Sequence, residues 1–216
     1  DITFVDHPKY YSTALNSDAT TIIINTDEVT CPEGKALIVH DNPLDAFNKL
    51  ILSYRRFEPA TAMIGPKAEI GEGTIIEPGA FVGDRVKIGK NCIIHPNVTI
   101  YNHVIIGDNV IIQSGSVIGG DACYFQRRPE GFVKFESCGR VIIEDDVEIG
   151  ACCCVDIGVT SDTIVGKGTK MDNFVQIGHD AKLGKNCFLG AHASVGGVTV
   201  VKDNVSIWSM GAVNKD

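Results

Sequence analysis

The sequence predicts a mainly β protein, in which a parallel β-helix over residues 59–216 follows a small α/β domain over residues 1–58. Three observations predict it. An aliphatic residue returns at every sixth position from Ile64 through Ile70, Ile76, Val82, Ile88, Ile94, Ile100, Ile106, Ile112 and Ile118. A second stripe of small or β-branched residues lies four positions after each aliphatic, as at Ala80, Val86, Cys92, Val98, Val104, Val110 and Ser116. The residues before about Glu58 lack this period.

In the front segment the apolar runs Thr21 to Ile24 and Ala36 to Val39 read as strands. Asn42 can cap a helix with Pro43 at its first position, and Leu44, Phe47, Leu50, Ile51 and Tyr54 fall on one face of it. Phe57-Glu58-Pro59 would end that helix, because a residue before proline is pushed out of the helical region.

Beyond it, glycine and β-branched residues recur too often for helix, and a period of six does not match 3.6. Six residues with one large aliphatic and one small inward residue suit one side of a triangular coil, a short strand followed by a turn. Three repeats make a coil of about eighteen residues, and about seven coils would stack at roughly 4.8 Å as parallel ladders. Glycine often follows the aliphatic, as at Gly71, Gly83 and Gly89, where turns bring backbones close.

The repeat breaks twice. Between Ile118 and Ile143 stands GGDACYFQRRPEGFVKFESCGRV, an inserted loop at about 119–142 with Tyr124, Phe125, Phe132 and Phe135 beside Arg127 and Arg128. It reads either as a lid offering apolar surface to an acyl chain and charge to a phosphate, or as an insertion packing on its own solenoid. The period resumes at Ile143, Ile149 and Val155, slips once, and runs from Val165 to Val213.

Composition excludes several classes. A net charge of −8 with only short basic clusters argues against nucleic acid. Apolar stretches of a few residues predict no transmembrane segment, and the expected compartment is the cytoplasm. Eight cysteines without a CxxC pair read as reduced packing residues, and no metal site is expected. Among six histidines, His179 in DNFVQIGHDAKLG comes two residues after inward Ile177 and should point outward. His192 is outward too, one coil further on, and Asp180 would orient the His179 ring if a turn brought the neighbours together.

Local strings carry a resemblance over nearly the whole chain: TF then PKY within Thr3 to Tyr10, DNP at Asp41 to Pro43, HPxVTIY at His95 to Tyr101, IQSGSVIG at Ile112 to Gly119, GRVIIEDDVEIGAC at Gly139 to Cys152, and DNFVQIGH at Asp172 to His179. In these strings and in the order of its parts the chain resembles the lipid A N-acyltransferases, hexapeptide-repeat enzymes that acylate UDP-3-O-acylglucosamine. The resemblance implies a left-handed β-helix, a homotrimer with sites between subunits, a UDP-linked amino sugar as acceptor and an acyl-carrier-protein thioester as donor. The donor, or an acyl-CoA in its place, would be a cosubstrate, with no held cofactor.

The resemblance makes His179 the general base. It puts Phe4 and Tyr10 on uracil and sugar phosphate, and Asp172 and Asn173, which open the DNFVQIGH string, are substrate-binding candidates with it; His192 joins them by its outward position alone. The family's IDRG reads Val155-Asp156-Ile157-Gly158 here, its AHN reads Gly178-His179-Asp180, and His7 replaces a usual asparagine. Two alternatives stay open: an acetyl-CoA-dependent nucleotide-sugar N-acetyltransferase, suggested by GHDAKLG and SMGAV, and a non-catalytic relative.

Overall fold

Strands Ile2–Val5 (β1), Thr21–Ile24 (β2) and Ala36–Val39 (β3) pair in parallel in the order β1-β2-β3, with Ile2 opposite Thr21 and Thr21 opposite Ala36. β1 is absent from the sequence reading because one alternating ITFV stretch is too short to separate from coil. The turn Pro8–Tyr10 and the short helix α1 (Tyr11–Leu15) follow β1. Helix α2 (Pro43–Tyr54) starts where expected: the Asn42 side chain accepts from the Asp45 N–H, and Pro43 takes the first turn, where no N–H is needed. It buries Pro43, Leu44, Phe47 and Ile51. Tyr54, placed on that face by periodicity, is instead exposed, as the last residue of the helix.

The structure, a computed structural model, describes residues 1–215 as two compact units. One is Asp1–Phe57 together with Phe125–Glu136; the other comprises 58–124 and 137–215. The centre of the inserted segment is thus a hairpin, Phe125–Arg128 against Gly131–Lys134, that belongs to the first unit. Its inner residues explain why. Gln126 donates to Asp6 at 2.8 Å, Arg128 reaches Asn42 at 2.9 Å and Asp45 at 3.0 Å, and Asn48 donates to the Lys134 carbonyl at 2.7 Å.

The second unit is a parallel β-helix with three seven-stranded faces. Along the chain, a first face runs from Glu69–Ile70 to Val200–Val201, a second from Ile75–Ile76 to Ser206–Ile207, and a third from Phe81–Val82 to Ala212–Val213. Both predicted stripes point inward: Val82, Ile94, Ile112, Ile149 and Leu189 are fully buried, with Val86, Cys92, Val98 and Cys153 between them. Burial pushes the Cys153 thiol up to about 11, so it packs as a small hydrophobe and holds no thiolate at neutral pH.

Most corners turn through one residue in the left-handed region. Between the first and second faces these are Gly73, Asn91, Asn109, Asp146, Gly168, Asn186 and Asn204, the residue types that tolerate it. Between the second and third faces the column begins Gly79, Asn97, Gly115 but continues Cys152, Phe174, His192, Met210. After the third face it includes Asp180 and Val198, the latter β-branched at φ 62°. Such a residue is strained by roughly 1–2 kcal/mol. Val198→Asn, at a position 43% exposed, is expected to raise stability by about 1 kcal/mol, read as a higher denaturant midpoint at unchanged slope.

Candidate functional site

His179 follows the third-face strand Gln176–Ile177 and sits at the corner leading back to the first face. Asp180, next in sequence, has φ 57°, so the chain turns and both side chains meet. The His179 Nδ1 lies 2.8 Å from Asp180 Oδ2. A strand would have sent them to opposite sides. The imidazole is only 13% exposed, so the corner that directs it outward also covers most of it.

Asp180 is held by the slip in the repeat. Val155 and Val165 are ten positions apart where six would keep the period, and the extra residues form a loop around the carboxylate. Val159 N–H donates at 2.9 Å, Thr160 N–H at 3.1 Å, Ser161 N–H at 2.6 Å and Ser161 Oγ at 2.9 Å. The loop closes tightly: a Cβ on Gly158 would lie 1.6 Å from the Ser161 carbonyl oxygen, so only glycine fits. Burial pushes the Asp180 pKa up, but the hydrogen bonds from His179, Val159 and Ser161 outweigh it and hold it at about 2. Asp180 is therefore an anion at neutral pH that fixes the orientation of the ring.

The rest of the ring's surroundings come from neighbouring coils. Tyr124 packs on it with centroids 4.7 Å apart at 38°. A Cβ on Gly197 would sit 2.5 Å from Nε2, so the glycine leaves room for the imidazole edge that does not face Asp180. Asp156 ends the adjacent third-face strand Cys154–Asp156, which pairs with Gln176–Ile177. Burial raises the Asp156 pKa, against a hydrogen bond from Gln176 and the attraction of His179.

The other residues singled out in the sequence lie elsewhere. Asp172 and Asn173 are exposed at the corner between the second and third faces. The Asn173 carboxamide accepts from Ala151 N–H at 2.7 Å, as Asn102, Asp108, Asp145 and Asp203 accept from other coils' amides, which is a stacking role. His192 stands at that same corner, stacked on Phe174 with centroids 4.8 Å apart at 4°, and not one coil beyond His179. The residue one coil on from His179 is Gly197, eighteen positions later, because Ile177 pairs with Val195. Within one chain the structure does not bring Asp172, Asn173 or His192 to His179. Phe4 and Tyr10 belong to the other unit, where Phe4 packs against Phe47 at 4.9 Å and Phe135 at 5.9 Å, and Tyr10 is 54% exposed beneath the Lys9 ammonium.

Tyr124, Asp156 and Gly197 carry no site assignment in the sequence reading. The departures at IDRG marked the neighbourhood of Asp156, but only the coil register puts it beside His179.

Two family models match this chain. One is the bacterial transferase hexapeptide of six repeats, over residues 85–120 and 162–197. The other is UDP-3-O-(3-hydroxymyristoyl) glucosamine N-acyltransferase, LpxD, over residues 1–52. The UDP-3-O-acylglucosamine N-acyltransferase of Syntrophotalea carbinolica is 39% identical over 91% of this chain and 64% of its own length. The chain is similar to the UDP-3-O-acylglucosamine N-acyltransferases at its front and along most of its length, and carries the bacterial transferase hexapeptide. Another relative, the UDP-3-O-acylglucosamine N-acyltransferase of Methylobacterium sp. strain 4-46, is 46% identical over 42% of this chain and 26% of its own length. The chain therefore spans about a quarter to just under two thirds of these relatives' length. Among solved structures, a UDP-N-acetylglucosamine acyltransferase from Bacteroides fragilis matches at 29% identity and a TM-score of 0.61, covering 70% of this chain and 58% of that one.

Among the described residues no group of three or more His, Cys, Asp or Glu side chains is arranged to hold a metal ion, and no helix is long and apolar enough to cross a membrane.

Proposed function

We propose that this protein transfers an acyl group from a thioester to the amine of a UDP-linked amino sugar, UDP-3-O-acylglucosamine, in lipid A biosynthesis. The observation that carries the reading is the His179–Asp180 pair, a base with a fixed ring partner and a buried anion behind it. The reaction needs such a pair. The neutral amine attacks the thioester carbon, His179 takes a proton from the nitrogen of the adduct, and Asp180 stabilises the imidazolium. Collapse breaks the C–S bond, and the departing thiolate takes that proton to leave as free thiol.

The donor in this reading is an acyl carrier protein thioester, a cosubstrate, and the protein works in the cytoplasm. Phe4 and Tyr10 would receive the uridine part, as in the family. A homotrimer is part of the same proposal. The strained corner column exposes Phe174 at 53% and Met210 at 77%, apolar side chains kept where Gly or Asn would be relaxed, and burial against another copy would offset that strain. In the trimer Asp172, Asn173 and His192 of one copy would border the His179 corner of the next.

The test is thiol release from an acyl carrier protein thioester and from acetyl-CoA, each with UDP-activated amino sugars, at a protein mass measured by light scattering. Release from the carrier thioester by a species of three chains supports the reading; preference for acetyl-CoA, or no release, rejects it. Gly197→Ala is expected to tilt the imidazole away from Asp180 and to lower turnover by about 100-fold, the effect of an approximately 1 Å misplacement, with the circular dichroism unchanged.

A further inference from the structure

Asp180 is fully engaged, with three backbone amides, a hydroxyl and the His179 ring on its two oxygens. The corner holds a second carboxylate, Asp156, that the chemistry above does not use. Its position is set by the ladder. Cys154 pairs with Gln176 and Val155 with Ile177, so the same register brings Asp156 level with Gly178, the residue before His179. On the other side Asp156 pairs with Gly120. Both ladder neighbours are glycine, so no side chain flanks the carboxylate along the stack. One coil beyond Gly178 come Gly196, against which the Asn214 side chain lies, and Gly197, beside the Nε2 edge of the ring.

The groups facing Asp156 are Gln176, which hydrogen-bonds it, His179, which attracts it, and Asp121, which repels it. A half-buried carboxylate beside a base, with glycine as its ladder neighbours, suits a compact cationic group small enough to lie between the two. An amino sugar brings such a group, because its amine is protonated in water before it reacts. A hydroxyl acceptor brings none.

We propose that Asp156 receives the acceptor's amino group as its ammonium and so selects an amine over a hydroxyl at this site. The inference rests on the N-acyl transfer reading and names how the acceptor is chosen. The ammonium binds with an N–H toward the Asp156 carboxylate, then releases one proton to water. The resulting amine is held beside His179, which takes the second proton during attack and passes it to the thiolate. The sum is ammonium plus thioester giving amide, thiol and one proton. Asp156 changes no bond in this scheme; it binds and orients.

The experiment compares UDP-glucosamine with UDP-glucose, which differ by an amine against a hydroxyl at the acceptor carbon, by titration calorimetry at pH 7 on the full chain. Wild type is expected to bind the amine at least tenfold more tightly. Asp156→Asn, nearly isosteric, should bring the two ligands within about twofold by weakening only the amine, and Asp156→Glu should restore part of the preference. In turnover the Asn variant should raise KM for the amino sugar and leave KM for the thioester unchanged. Asp156→Ser, checked for folding by circular dichroism, serves if the Asn variant misfolds. No amine preference in wild type, an unchanged preference in the variants, or equal loss of both ligands overturns the proposal. These outcomes differ from a failure of the acyl transfer reading, which would appear as no thiol release with any donor while the binding comparison still reports on Asp156.

Discussion

His179→Ala is expected to lower kcat for thiol release by about 100- to 10,000-fold, the range that a positioned general base contributes, with little change in stability. The reason is the arrangement of the ring. Nδ1 is committed to Asp180 at 2.8 Å, so only Nε2 is left to exchange a proton with a reacting group, and it points into the space that Gly197 keeps open. Alanine removes the proton acceptor and leaves the Asp180 cradle in place, since four of its donors come from Val159, Thr160 and Ser161. Steady-state rates at saturating donor and acceptor decide the matter: turnover within twofold of wild type would exclude His179 as the base.

Asp180→Ala should be the most destabilising change at the site. It removes the acceptor shared by three loop amides and the Ser161 hydroxyl, of which the Val159 amide is buried and the others are part-buried, and losing these bonds to an anion costs about 3–5 kcal/mol together. For a chain of this size that is a fall in Tm of roughly 10 °C. The same carboxylate gives stability a pH dependence. Its folded pKa, about 2, lies below the ordinary 3.8, so the folded state binds its proton less readily than the unfolded chain does. The contribution, about 2 kcal/mol, is complete above the unfolded value and is lost as pH falls from about 4 toward 2. Denaturant melts of wild type and Asp180→Asn across that window should converge at the acid end. Parallel curves would assign the acid loss to other carboxylates.

Much of the fold is legible because the solenoid repeats one local rule. Ile64 to Ile118 and Val165 to Val213 announce the inward positions, and each coil needs only its neighbour, so a one-dimensional pattern specifies a nearly one-dimensional structure. Asn42, Pro43 and the face of Leu44, Phe47 and Ile51 fix α2 by local chemistry alone. The hairpin reads less well. Phe125 to Lys134 looks like an insertion into the solenoid, but its partners Asp6, Asn42, Asp45 and Asn48 are more than eighty residues away in sequence, and nothing local announces those hydrogen bonds. His192 misled for a related reason. Counting along the chain puts it near His179, whereas thirteen residues carry the chain round to a different corner and eighteen are needed to return.

By itself the sequence determined the coil, its inward stripes, the front strands Thr21–Ile24 and Ala36–Val39, and a histidine turned outward at a corner. These follow from spacing, and spacing is a property of the chain. Tertiary structure decided what surrounds that histidine. The slip between Val155 and Val165 becomes a loop closing on Asp180, Gly197 arrives from the next coil, Asp156 from the one before, and Tyr124 from the edge of the insertion. The physical reason is that a solenoid corner is assembled across coils: its chemistry depends on which residues lie eighteen or more positions apart, and the ladder register alone sets that distance.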